Sequence, residues 1–281
     1  MKKEELMPKL DEWILEQKYQ EYEQSTLNQY RANTLKFIEW LPDDGEEITK
    51  DTMLRYKQHL GEIAGSTNSI NVWIVTVNKF LKWLGHPELT LKKIKMQAKQ
   101  SNEEVLSVSD YKRLLRFAKR ENKVQLYYIM KILAMTGIRV SELQYFQVEN
   151  LKSNYISVFN KGKERTIIVR QDLMRELRKY CRENGIRHGY LFPSPEVKGK
   201  MVNTSTIWRQ MKAVAGHARV KKSKVHAHSF RHLFAQVFLE TYSDNITELA
   251  DILGHNSLDT TRLYTRTSDS QKRDKLERMK F

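Results

Sequence analysis

The 281-residue chain has little of what marks a secreted or membrane-bound protein. Its one cysteine, Cys181, excludes an intrachain disulfide and a metal site built from several thiolates, and its place in a predicted helix favours a buried, apolar role. The N-terminal segment MKKEELMPKLDEW lacks the apolar core of a signal peptide, and no stretch has the length and apolarity of a membrane span. We therefore expect a cytoplasmic protein.

Proline and glycine are also scarce, with 5 and 11 residues, and 40% of the chain is hydrophobic, which indicates a folded, mostly helical protein. Apolar spacing predicts four helices in residues 1–90, the second starting at an N-cap Ser25 or Thr26 and ending before Pro42. Residues 91–104 have too few apolar side chains for a core and are predicted to be a linker. Residues 105–281 form a second predicted unit, with helices near residues 124–135, 172–184, 204–217, 230–241, 246–253 and 258–264.

Positive charge is distributed unevenly along the chain. Residues 1–100 hold 15 basic and 15 acidic residues, whereas residues 101–281 hold 34 basic and 19 acidic ones, so the whole net charge of +15 lies in the second part. This distribution predicts a polyanionic partner for the second unit. A charge that serves solubility alone is the alternative.

The segment TGIRVSEL contains an arginine that suits anion binding. Arg139 follows a predicted helix stop at Thr136-Gly137 and lies near the start of the next helix, where backbone amides favour an anion. Glu142, three residues on, is placed to orient the guanidinium group. An ordinary surface arginine with a first-turn glutamate remains the alternative.

The segment HAHSFRH contains a second arginine with histidines around it. His228 and Arg231 are three residues apart at a predicted helix start, so they share one face. His232 is predicted to lie on a different face and to pack, and His226 fits either role. On its own, a pair with this spacing is a weak motif.

The segment LGHNSLDTTRLYTR supplies a tyrosine. Gly254 is predicted to end a helix, which places His255 in a short turn before the next one. The residues around Tyr264 are polar, which suits an exposed hydroxyl group better than a buried ring. The alternatives are a structural histidine and a core aromatic residue.

Two β-rich runs, residues 155–159 and 166–169, predict a hairpin whose turn is formed by residues 160–165. The predicted fold class is therefore mainly α with one small β-hairpin (α+β). Lys161 lies at the tip of this hairpin, where an ammonium group can reach a bound molecule and protonate a leaving oxygen. Lys163 is the competing candidate.

Together these side chains meet the needs of metal-independent attack on a phosphodiester. Arginine matches the geometry of the nonbridging oxygens, tyrosine forms a covalent phosphoester, and lysine or histidine protonates the leaving alkoxide. The order and composition of the four segments resemble the tyrosine recombinases, that is, the phage-integrase and Xer-type site-specific recombinases. Those segments are TGIRVSEL (136–143), NKGKER (160–165), HAHSFRH (226–232) and LGHNSLDTTRLYT (253–265).

The resemblance covers nearly the whole chain and implies an architecture. Residues 1–90 resemble a helical, SAM-like core-binding domain that clamps DNA, residues 91–104 a linker, and residues 105–281 a catalytic domain with a tail helix from about residue 266. The usual G-K-G-x-K-x-R hairpin is one residue shorter here, Phe230 replaces the usual leucine, and Ala227 replaces a common proline. The short hairpin leaves the choice between Lys161 and Lys163 open.

The resemblance also implies a mechanism. Arg139 and Arg231 would hold the phosphate, Glu142 would support Arg139, and the remaining catalytic residues would be Lys161, His228, His255 and the nucleophile Tyr264. A 3′-phosphotyrosyl intermediate and a Holliday junction would form in a homo-tetramer on double-stranded DNA with inverted half-sites, without metal, ATP or another cofactor. Accessory DNA-bending proteins and association with the nucleoid are further expectations.

Two other functions fit part of the pattern. A type IB topoisomerase would use the same residues to relax one duplex without exchange. A helical DNA-binding repressor would explain the charge but would leave the order of arginines, histidines and tyrosine as a coincidence. Dimer resolution, transposition and phage integration are all compatible with the first reading.

Overall fold

The computed structural model describes residues 1–43, 45–95, 105–160, 163–242, 245–254, 261 and 277. The chain divides into two compact units, Met1–Ala98 and Lys99–Phe281. Both are mostly helical, and the second contains a two-stranded antiparallel sheet, so the predicted fold class is confirmed. In the described part of the chain, no helix is both long enough and apolar enough to cross a bilayer.

The first unit contains the four predicted helices. Thr49 and Ser66 cap α3 and α4, because each side-chain oxygen accepts the backbone N–H three residues ahead. The N-cap prediction for the second helix was wrong: this helix begins at Gln24, so Ser25 lies inside it. The helices are α1 (Leu6–Tyr19), α2 (Gln24–Trp40), α3 (Lys50–Ile63) and α4 (Thr67–Trp83).

Aromatic rings fill the centre of the first unit. Trp13 is fully buried, with its ring centroid 5.4 Å from that of Tyr30 and 5.1 Å from that of Phe80. Phe37 meets Tyr56 edge-on at 4.8 Å. These rings come from all four helices, so their burial holds the bundle together.

The second unit contains six described α-helices, three short 3-10 helices and the hairpin. Two helix predictions, 204–217 and 246–253, match the observed bounds, and α6 ends at Thr136 before Gly137 as expected. The helices are α5 (Val108–Arg120), α6 (Val124–Thr136), α7 (Gln171–Glu183), α8 (Thr204–His217), α9 (Ala227–Thr241) and α10 (Ile246–Leu253). The three 3-10 helices are Val140–Tyr145, Val148–Lys152 and Lys222–Lys224.

The hairpin is tighter than the sequence predicts. Strand β1 (Tyr155–Asn160) pairs with β2 (Lys163–Ile168), and Val158 lies opposite Arg165. Arg165 is therefore a strand residue, and the predicted six-residue turn was wrong. Because Val158 and Arg165 are directly opposite, their side chains share the buried face of the sheet with Ile156 and Ile167.

One apolar core joins the sheet to most of the helices of the second unit, with α9 packed on α6. Cys181 lies on α7 and is buried, and burial raises the pKa of its thiol, which confirms the predicted packing role. Of the predicted helix at residues 258–264 and the tail helix from about residue 266, only Thr261 and Glu277 are among the described residues.

Candidate active site

The end of α6 forms one wall of the site. Gly137 adopts φ 65°, and a Cβ atom there would lie 2.6 Å from Cδ1 of Phe234 and 2.7 Å from Cδ2 of Leu253. Glycine is therefore required for both conformation and space. The carbonyl oxygen of Gly137 accepts a 2.8 Å hydrogen bond from Nη1 of Arg231.

A buried carboxylate anchors Arg139 at the start of the 3-10 helix Val140–Tyr145. Oε2 of Glu142 accepts the backbone N–H of Arg139 at 2.8 Å, and Oε1 accepts Nη1 of the same residue at 3.3 Å. The side chain of Glu142 is 1% exposed, whereas that of Arg139 is 41% exposed. Glu142 thus orients a guanidinium group that solvent, or a ligand, can reach.

Arg165 binds the same carboxylate from the other side. Its Nη2 donates to Oε2 of Glu142 at 2.7 Å, and its Nη1 donates to the carbonyl oxygen of Ile252, near the end of α10, at 2.6 Å. Arg165 was not among the residues predicted for the site. Strand alternation is the signal that could have identified Arg165, because it places this residue on the same face as the buried Ile167. A charged side chain on a buried face needs a partner.

Glu142 stays ionised in this surrounding. Burial alone would raise the pKa of its carboxyl group, but hydrogen bonds from Arg165 and from the Arg139 backbone, with the charges of both arginines, outweigh burial and lower the pKa. The carboxylate balances part of the positive charge of the two arginines.

Helix α9 contributes Arg231 and two histidines, and a third histidine is its N-cap residue. Arg231 is buried, and its Nη2 donates to the carbonyl oxygen of Leu253 at 2.8 Å. Nδ1 of His226 accepts the backbone N–H of Ser229 at 3.2 Å, so this histidine caps the helix. His228 lies near Arg231: burial lowers the pKa of its ring, and the charges of Arg231, His226 and Arg139 lower it further.

The predicted placement of His232 on a different face was wrong. The rings of His228 and His232 meet edge to face with centroids 4.7 Å apart, because residues four apart are neighbours on a helix. Burial, followed by the charges of His228, His226 and Arg231, lowers the pKa of His232 to about 4. Both rings are therefore neutral at physiological pH.

Helix α10 ends where the chain leads to the predicted histidine and tyrosine. Gly254 adopts φ 65°, the left-handed conformation predicted for this helix end. The last carbonyl groups of α10, those of Ile252 and Leu253, accept hydrogen bonds from Arg165 and Arg231. Two cations therefore neutralise the negative end of the helix dipole.

The structure brings Arg139, Glu142, His228 and Arg231 into one cluster. Lys161, His255 and Tyr264 lie outside the described residues. Within the described ranges, no group of three or more histidine, cysteine, aspartate or glutamate side chains is placed to hold a metal ion. The described cluster can bind an anion through Arg139 and can exchange protons through His228.

Comparison with known proteins agrees with this chemistry. The model of the phage integrase family matches residues 104–271, more than half of the chain. The chain belongs to the phage integrase family. This member of the family is a tyrosine recombinase, an enzyme that breaks and rejoins DNA strands at specific sites.

One sequence relative and two solved structures show how far the similarity extends. Tyrosine recombinase XerA of Pyrococcus furiosus is 29% identical over 259 residues, which cover 90% of this chain and 87% of that protein. The crystal structure of XerA recombinase superimposes with a TM-score of 0.55 at 27% identity, covering 98% of this chain and 99% of that one. A lambda integrase tetramer bound to a Holliday junction gives a TM-score of 0.76 at 17% identity, covering 94% of this chain and 77% of that one, and this likeness shows the fold alone.

Proposed function

We propose that this recombinase cuts each DNA strand by attack of the Tyr264 hydroxyl group on the scissile phosphate, while Arg139 and Arg231 stabilise the nonbridging oxygens. The observation that carries the proposal is the charged cluster around Glu142. A buried carboxylate fixes Arg139, two backbone carbonyl groups fix Arg231, and His228 lies beside both. Positive charge held this way stabilises a phosphorane-like transition state without first having to reorganise.

The proton transfers follow from the state of the side chains. His228 is neutral at physiological pH because burial and neighbouring cations lower its pKa, so it can accept a proton. We assign the protonation of the leaving 5′-oxygen to Lys161, with Lys163 as the alternative, and contacts with the phosphate to His255. As the Tyr264 hydroxyl group gives its proton to His228 and bonds to phosphorus, the bond to the 5′-oxygen breaks and that oxygen takes a proton from the lysine.

Strand exchange then needs no external energy source, because the phosphotyrosyl link conserves the energy of the broken bond. A 5′-hydroxyl from a partner duplex attacks this link and releases Tyr264. Two such rounds pass through a Holliday junction. The proposed assembly is a homo-tetramer on two duplexes with inverted half-sites; a lambda integrase of the same fold is a tetramer bound to a Holliday junction.

The rest of the chain has a role in this assembly. We assign residues 1–90 to a clamp on duplex DNA, residues 91–104 to the linker, residues 105–281 to catalysis, and the tail from about residue 266 to contacts between subunits. The enzyme would work on the nucleoid in the cytoplasm, with accessory DNA-bending proteins where its site requires them. The basic excess in residues 101–281 supports DNA binding by the second unit.

The test is a nicked suicide duplex that carries the recognition site, on which cleavage traps the covalent adduct. The wild-type protein should form the adduct, and Tyr264→Phe should bind the DNA without forming it. Tyr242→Phe is the matched control, because Tyr242 is 54% exposed at the end of α9 and should react as the wild type does. An adduct in Tyr264→Phe would remove that residue from its proposed role.

A second assay separates exchange from simple relaxation. Two duplexes with different labels are incubated with the protein, and recombinant products are expected. Relaxation of supercoiled DNA without recombinants would favour a topoisomerase activity instead. Sequencing the DNA bound in the host would identify the half-sites and the biological role.

A further inference from the structure

We infer that Arg165 is a positioning residue of this recombinase. Its guanidinium group connects the Glu142 carboxylate, which orients Arg139, with the end of α10, and from this end the chain continues to His255 and Tyr264. The inference rests on the proposed function, because it concerns the same site. It differs in naming one side chain that connects the catalytic segments to each other.

The two hydrogen bonds of Arg165 point to different parts of the unit. Nη2 reaches Oε2 of Glu142 at 2.7 Å, and Nη1 reaches the carbonyl oxygen of Ile252 at 2.6 Å. These partners are 23 and 87 residues away in sequence, so no local structure brings them together. A planar guanidinium group can make both bonds at once, whereas a lysine ammonium group presents one point charge.

The side chain of Arg165 is also enclosed. Only 17% of it is exposed, and a Cβ atom at Gly254 would lie 2.7 Å from its Cδ atom. Glycine at this position lets the helix end approach the arginine closely. The contact leaves little room for movement between strand β2 and the last turn of α10.

Three catalytic segments therefore meet at this guanidinium group. The first is the hairpin, because Arg165 lies on β2, four residues after Lys161. The second is Arg139, through the shared carboxylate of Glu142. The third is the end of α10, where Gly254 directly precedes His255. Small displacements of reacting groups cost about 100-fold in rate, so a side chain that fixes three of them has a large expected effect.

The first test compares Arg165→Met with Arg170→Met, which removes the same charge from an exposed arginine paired with Asp172. DNA affinity and single-turnover adduct formation are measured on saturating suicide duplex. Arg165→Met should form the adduct about 100-fold more slowly with DNA affinity close to that of Arg170→Met. Arg170→Met should cleave at the wild-type rate. Arg165→Lys should recover part of the lost rate, because it restores the charge opposite Glu142.

The second test moves Arg165 without replacing it. Gly254→Ala places a methyl group against the arginine, whereas Gly185→Ala introduces the same strain at φ 66° with nothing within 4 Å. Slower adduct formation in Gly254→Ala than in Gly185→Ala is expected. If Arg165→Met fails to fold, the comparison of Gly254→Ala with Gly185→Ala still tests the inference.

Wild-type rates in Arg165→Met and in Gly254→Ala would overturn the inference. Equal losses in Gly254→Ala and Gly185→Ala would also overturn it, because backbone strain alone would then explain the effect. The proposed function fails differently, through an adduct in Tyr264→Phe on the same duplex. The two failures are therefore distinguishable in one assay.

Discussion

The two units of this recombinase bury different kinds of side chain. Among the described residues, the buried charged side chains are Asp110, Glu142 and Arg231, all in the second unit, whereas the buried polar residues of the first unit are uncharged. The second unit also carries the whole basic excess. Burying a charge costs free energy unless it is paired. Asp110 is paired within the capping box of α5, whereas Glu142 and Arg231 lie in the candidate active site.

The comparison predicts that removing Arg231 has the largest effect. Arg231→Met leaves the carbonyl oxygens of Gly137 and Leu253 without their donor, which should cost about 2–5 kcal/mol of stability. It should also slow adduct formation by at least about 100-fold, because a preorganised cation is lost. Urea unfolding and single-turnover cleavage measure the two effects.

Leu81→Ala in the first unit is the contrasting variant. Leu81 is fully buried in α4, so truncation should cost a similar 2–5 kcal/mol, about the usual range for a core leucine. Adduct formation by the folded, DNA-bound protein should be unchanged. If both variants lost cleavage in proportion to stability, the contrast between the units would disappear.

Glu142→Gln should have the next largest effect. The amide keeps the shape of the side chain but not its charge, so the stability loss at neutral pH should be about 1–3 kcal/mol. Because the pKa of Glu142 is lowered on folding, its contribution is complete above the ordinary glutamate pKa of about 4.3 and is lost as the pH falls below it. Unfolding measured from pH 7 to pH 3 should show the two proteins converging in acid.

His232 gives the second unit a different acid sensitivity. Its pKa falls from 6.5 to about 4 on folding, so the unfolded chain binds the proton more readily between these values. Stability should therefore decrease as the pH falls from 6.5 to 4, by about 1–2 kcal/mol after allowance for part exposure. His232→Gln should flatten this slope, and an unchanged slope would contradict the assignment.

The smallest effects should come from matched helix caps in the two units. Thr49→Ala and Ser107→Ala each remove a side-chain acceptor for a backbone N–H at a helix start. Each should cost about 1 kcal/mol of stability and leave cleavage unchanged. A loss of cleavage in Ser107→Ala alone would mean that α5 takes part in the chemistry.

Local signals in the sequence were sufficient for most of the fold. The bounds of α8 and α10 and the end of α6 at Gly137 follow from apolar spacing and end residues, and the structure confirms them. The prediction of the hairpin turn was wrong, because the charged run of residues 160–165 includes the first residues of strand β2. The charged side chain on the buried face of this strand is that of Arg165. Its partners, Glu142 and Ile252, are distant in sequence, so local patterns do not reveal them.

The candidate site shows the same limit. The spacing of Arg139 and Glu142 was enough to predict their contact, because three residues separate them. The bonds of Arg231 to Gly137 and Leu253 join residues 94 and 22 positions apart, which no periodicity reveals. The residue types could be read from the sequence, but the way the cluster is held together could not.

The most direct measurement is mass spectrometry of the trapped protein–DNA adduct after digestion with nuclease and protease. We expect a nucleotide joined through a phosphodiester to the peptide that contains Tyr264, with fragment ions placing it on that ring. A nucleotide on any other side chain would contradict the account.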